Sequence, residues 1–269
     1  MTAGAPRPPI AYMAPGIPFA RPIAVPVALP YAPIGEERPL SAIRAVVEII
    51  LVAPLAFIGG VAGIVIAKAC APADERWIDI AFTLGLGGGA AVACMLLVRL
   101  GGRRLNAIGL TTRNLPLDLG IGIASLIGMW SVLILCSLVI AFWFPSLLEK
   151  QSEAQQAIET YFPRLSVLQM FVLCACVAAY EEIVFRGFLL TRLHAIARRW
   201  WLVVPIGAIL FGSLHFYEGP IAVSVVTVLG LVMGLLFVWR KSLAAPITMH
   251  LLHNFFMFML LHLISKTWQ

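Results

Sequence analysis

Seven apolar stretches fill the chain after residue 40, set apart by short charged or proline-marked turns. They run from about 45 to 67, 78 to 98, 119 to 144, 165 to 197, 201 to 216, 221 to 239 and 244 to 264. About 20 apolar residues make a helix as long as a hydrocarbon core of about 30 Å. In lipid every backbone N–H and C=O must be paired inside the protein, and a helix does this within one segment. The pattern predicts an all-α, polytopic transmembrane helix bundle of about 7–8 spans. Composition agrees: 61% of the 269 residues are hydrophobic and 12% charged, where a soluble domain carries about 25% charged residues. The net charge of +6 then reports cations flanking membrane segments and gives no reason to expect a nucleic-acid partner.

Four parts are expected. Residues 1–40 hold 10 of the 18 prolines, a density that forbids a helix and predicts a disordered cytoplasmic tail without a signal peptide. Residues 41–144 would form the N-terminal transmembrane helices, with Gly85, Gly87, Gly88 and Gly89 allowing close helix approach. Residues 145–164 read as an amphipathic loop. Residues 165–264 would form the core that carries the chemistry. Most of the 19 Lys and Arg, including Arg99, Arg103, Arg104, Arg198, Arg199, Arg240 and Lys241, fall on one side if the N-terminus is cytoplasmic. The positive-inside rule favours that orientation, as an integral protein of a bacterial inner membrane. Glu48, near a span start, reads as interfacial. Of the five cysteines four lie in apolar runs, and none is spaced as a metal knuckle or disulfide framework.

The costly residues of the fourth stretch are Glu181, Glu182 and Arg186. A charged residue at a helix centre costs about 2.5–3.5 kcal/mol on insertion scales, so such residues usually face a cavity and carry function. Glu182 and Arg186 are spaced i, i+4 and can pair. Glu181, rotated by about 100° from Glu182, is expected to point elsewhere. The fifth stretch ends Phe211-Gly212-Ser213-Leu214-His215, and the seventh holds His250 and Asn254 at i, i+4. At 1.5 Å per residue Glu181, His215 and His250 all fall near the membrane midplane. A carboxylate and an imidazole can hold a water, and the carboxylate can take its proton during attack on a carbonyl. An imidazole N–H and an Asn amide can donate to the oxyanion that forms. Glu181, His215 and His250 could alternatively make a one-carboxylate, two-histidine zinc site. The His-Glu-x-x-His motif is absent, however, and no cofactor is demanded.

Three motifs stand in order: Glu181-Glu182-Ile-Val-Phe-Arg186, Phe211-Gly-Ser-Leu-His215 and His250-Leu-Leu-His-Asn254. Together they resemble the CAAX protease and bacteriocin-processing (CPBP, Abi) family of intramembrane glutamic endopeptidases, related to the Ras-converting prenyl-protein protease. The resemblance covers about residues 165–260. It implies that Glu181 and His215 activate the water and that His250 and Asn254 form the oxyanion site. Glu182 and Arg186 would support them, and Phe211 would pack against or position the histidine. His253 is an extra histidine whose role the family pattern does not settle.

The function expected is an intramembrane endopeptidase in the lipid bilayer. Its partner would be a lipidated or transmembrane-tailed protein or peptide, cut near its C-terminus by CAAX-like or sorting-tail processing. The alternative is a non-proteolytic peptide-binding protein of the bacteriocin-immunity type. A proton-coupled transporter is weakened by the lack of a visible inverted repeat.

Overall fold

The computed structural model describes residues 40–70, 76–144, 146 and 165–267, apart from the side chains of 262 and 264–267. The proline-rich tail and the amphipathic loop expected at 145–164 lie outside the described residues, save Leu40 and Ser146. What remains is all-α, as expected. Seven helices follow in order: α1 (Ala42–Cys70), α2 (Arg76–Leu100), α3 (Leu115–Trp143), α4 (Val167–Ala197), α5 (Trp200–Ser213), α6 (Pro220–Arg240) and α7 (Ala244–Thr267). Six are long and apolar enough to cross a membrane; α5 is the shorter one.

Local chemistry sets the ends. Ser166 and Gln169, the two strongly polar residues at the start of the fourth stretch, form a capping box: Ser166 Oγ accepts from the Gln169 N–H and Gln169 Oε1 accepts from the Ser166 N–H. This satisfies amides that no helix carbonyl can reach. α6 starts at Pro220, where the missing N–H costs nothing, after Gly219 in positive-φ backbone. α5 stops at Ser213, sooner than the 216 expected, because the chain must turn toward Pro220 within six residues. His215 therefore lies in the turn just past the helix.

α1 and α2 pack through glycine. A Cβ on Gly85 would fall on the Gly59 backbone, and one on Gly89 would meet the Gly59 Cα. Gly87 has another use: the ring of Tyr180 from α4 occupies its notch. Gly88 faces open space. Gly85→Leu is expected to force the hairpin apart, costing at least the ~1–3 kcal/mol typical of overpacking, and to lower the melting midpoint in detergent. Gly88→Leu should leave it unchanged.

One end of the bundle is fastened by ion pairs. Glu48 is buried among protein side chains. Its Oε2 accepts from Arg192 Nη2 at 2.8 Å and Nε at 3.0 Å, and its Oε1 from Arg44 Nε at 2.7 Å. Arg192 is wholly buried and lies 3.9 Å over the Phe188 ring. Asp118 at the start of α3 accepts from Arg240 Nε at 2.7 Å. A buried charge persists in such a place only when paired, and these pairs bind α1 to α4 and α3 to α6.

Candidate active site

α4 brings two carboxylates to one imidazole from α7. His250 Nδ1 lies 2.8 Å from Glu182 Oε1, and His250 Nε2 lies 3.7 Å from Glu181 Oε2. Glu181 makes no ion pair with Arg186 among the described residues, yet it reaches the same ring as Glu182. A rotation of about 100° between neighbouring Cα positions leaves both carboxylates within reach of opposite ends of a ring lodged between them. Glu182 does more than pair with Arg186. Its Oε1 accepts from Arg186 Nη1 at 2.6 Å and also receives His250. Glu182 is fully buried, and Arg186 nearly so.

Arg186 is held from three sides. Besides Glu182, its Nη2 donates to the Gly230 carbonyl at 3.4 Å, and its guanidinium lies 4.2 Å over the Phe211 ring. Phe211 is buried between the histidines, with ring centroids 5.1 Å from His215 and 6.0 Å from His250. Residues Ile183–Leu189 form a π-helical segment directly after the two glutamates. Such segments concentrate at functional sites.

Hydrogen bonding fixes the ring protons. Glu182 is an acceptor when ionised, so His250 Nδ1 carries the proton that reaches it. In neutral His250 the Nε2 facing Glu181 is then a lone pair. His215 Nδ1 lies 3.0 Å from the Phe211 carbonyl oxygen, which can only accept, so neutral His215 has its free lone pair on Nε2 as well. His215 and His250 are both close enough to act on the charge of Glu181. Glu181 Oε2 is buried without a hydrogen-bond partner, although the side chain as a whole is 17% exposed and that of His215 19%. Glu181, His215 and His250 thus converge. Asn254, one turn beyond His250, is half-buried, and its side chain makes no hydrogen bond among the described residues.

The extra histidine is accounted for. His253 Nδ1 accepts from Trp130 Nε1 of α3 at 3.2 Å, tying α7 to α3. Three residues that the motifs did not flag also lie at the site. Glu218 Oε1 is 4.0 Å from His215 Nε2, and the Tyr217 ring stacks near His215 at 6.3 Å. Tyr180 precedes Glu181 and feels its charge. The only sequence signal for them was adjacency to the motifs. Among the described residues no group of three His, Cys, Asp or Glu side chains is arranged to hold a metal ion.

The chain has known counterparts. A curated relative, the uncharacterized protein YpbD of Bacillus subtilis (strain 168), is 27% identical over 121 residues, covering 44% of this chain and 58% of YpbD. The match thus spans less than two thirds of that relative's length. No solved structure matches. Residues 163–256, which include all three motifs, match the family described as type II CAAX prenyl endopeptidase Rce1-like; this integral membrane chain is therefore similar, through its Glu181–Asn254 core, to the CAAX prenyl endopeptidases that the motifs resemble.

Proposed function

We propose that this protein is an intramembrane endopeptidase whose nucleophile is a water held between Glu181 and His215. The observation that carries this is the unpartnered Glu181 Oε2 beside two histidines whose outer nitrogens are already committed. Glu181 and His215 Nε2 are then two acceptors for the two water protons, leaving an oxygen lone pair free to attack. Glu181 takes the proton as the C–O bond forms and returns it to the leaving amine. His250 donates to the oxyanion from Nε2 only as an imidazolium, which the Glu182 carboxylate under Nδ1 stabilises. The Asn254 amide is the second donor.

The substrate class is a lipidated or hydrophobic membrane-associated protein cut near its C-terminus. Residues 165–264 are the catalytic core. The orientation we adopt has the N-terminus in the cytoplasm of a bacterial cell, by the positive-inside rule.

The test is mass-spectrometric detection of cleavage in reconstituted bilayers. It uses a farnesylated CAAX peptide and a peptide with an apolar C-terminal tail, for the parent chain and Glu181→Gln. Binding of either peptide without any product would favour the immunity-type reading. A metal-free mechanism further predicts that a strong chelator changes the cleavage rate by less than about twofold. Complete loss restored by zinc would instead indicate the Glu181, His215 and His250 metal site.

A further inference from the structure

At the ion-paired end of the bundle, well away from the glutamates, two helices finish side by side. α4 ends at Ala197 and α6 at Arg240, and each is followed by a cation in left-handed backbone, Arg198 at φ 55° and Lys241 at φ 52°. Among the described residues these are the only non-glycine residues with positive φ. Glycine or asparagine usually takes this position because a Cβ there is sterically costly. Strained positions cluster where a ligand or a function over-determines them.

A cation after a helix C-terminus is favoured by the helix dipole, but Lys241 does not stay beside its own helix. Its Nζ lies 4.4 Å from the Trp200 ring centroid of α5. His194 of α4 stacks on the same indole at 3.8 Å and 7°. Its Nδ1 is buried without a hydrogen-bond partner. Lys241 and Arg198 are both close enough to act on it. Arg44, Arg192 and Arg240 at this end each have a carboxylate. Arg198, Arg199 and Lys241 have none among the described residues. Burial pushes the Lys241 ammonium below the usual lysine range, with no carboxylate to offset it. The first turn of α5 starts at Trp200 without a side-chain cap; the Leu202 and Val203 amides close on the Arg199 carbonyl, each at 3.1 Å, and those of Trp200 and Trp201 lie before any carbonyl of the helix could reach them.

We propose that Arg198, Lys241 and the Trp200 and Trp201 amides at the start of α5 bind the phosphate of an anionic phospholipid headgroup. Exposed Trp201 and Trp239 flank the cluster. Tryptophans of this kind sit at the membrane–water boundary, where a lipid phosphate is present at high local concentration and draws nearby cations. The site is separate from the glutamate centre and does not depend on its chemistry.

The test is native mass spectrometry of the full chain released from bilayers of phosphatidylglycerol and phosphatidylcholine. The parent chain is expected to retain phosphatidylglycerol selectively. The double variant Arg198→Gly, Lys241→Gly should retain about tenfold less or lower still, given the strength of a surface cation's pull on anionic lipid. Glycine suits both backbone positions, so the melting midpoint should hold or rise, and a lost lipid cannot then be ascribed to misfolding. Arg99→Gln with Arg113→Gln, two exposed cations elsewhere, should retain lipid as the parent does. Lys241→Arg on its own should keep binding. Retention in the glycine variant within twofold of the parent would overturn the proposal. So would an equal loss in the Arg99 and Arg113 variant, which would make the attraction a matter of net charge alone. Displacement of the lipid by millimolar inorganic phosphate would identify a free-anion site and overturn the lipid assignment.

Discussion

Gln in place of Glu181 is expected to lower peptide cleavage by about 10²–10⁴-fold, the usual contribution of a positioned acid–base group, while expression and thermal stability stay at the parent level. The two outcomes separate because of where the side chain's bonds go. Glu181 Oε2 has no hydrogen-bond partner, and His250 Nε2 stands 3.7 Å from it. An isosteric amide therefore removes a base and no structural bond. Cleavage should be followed by mass spectrometry and folding by the unfolding midpoint in detergent. Unchanged cleavage would remove Glu181 from the mechanism. A joint loss of cleavage and stability would make it a scaffold residue.

The converse is expected of Arg186. Arg186→Met leaves the fully buried Glu182 with His250 as its only remaining partner among the described residues. Removing one member of a buried ion pair typically costs about 3–5 kcal/mol, because the other charge stays desolvated. The variant should accumulate poorly and unfold at a clearly lower midpoint. Adding Glu182→Leu removes the orphaned charge, and apolar replacement of a buried pair is often neutral or better. The double variant should regain most of the stability and none of the activity, since His250 Nδ1 has then lost the acceptor that sets its tautomer. If Arg186→Met alone unfolds at the parent midpoint, the pair does not hold the fold.

The helices were legible because lipid leaves an apolar segment few options, and the spacing of Glu182 and Arg186 already announced their pair. The glycines of α2 announced close approach, though not that Gly85 and Gly89 serve α1 while Gly87 receives Tyr180. What could not be read was how neighbouring side chains share a partner. Rotation about a helix axis separates Glu181 from Glu182 by direction, yet both meet His250 because the ring lies between them. Glu48 and Arg192 stand 144 positions apart, so their pairing is a tertiary fact with no local signal, and each alone looked like a boundary charge. The ring protons of His215 and His250 likewise depend on a carbonyl and a carboxylate that only the folded chain supplies. They change the part His250 can play, from a neutral donor to one that must first be protonated.

The π-helical segment Ile183–Leu189 divides α4 into two helical stretches with separate azimuths. Each widened turn takes up roughly one more residue, so the stretch beyond it is displaced by about 100° relative to an uninterrupted α-helix. Upstream, the glutamates are aimed at α7; downstream, Arg192 is aimed at Glu48 of α1. The segment works as a fixed angular offset between the part of the helix that does chemistry and the part that is moored. Shortening it by one residue would turn one of these two faces away from its partner even if every side chain in the motifs were kept.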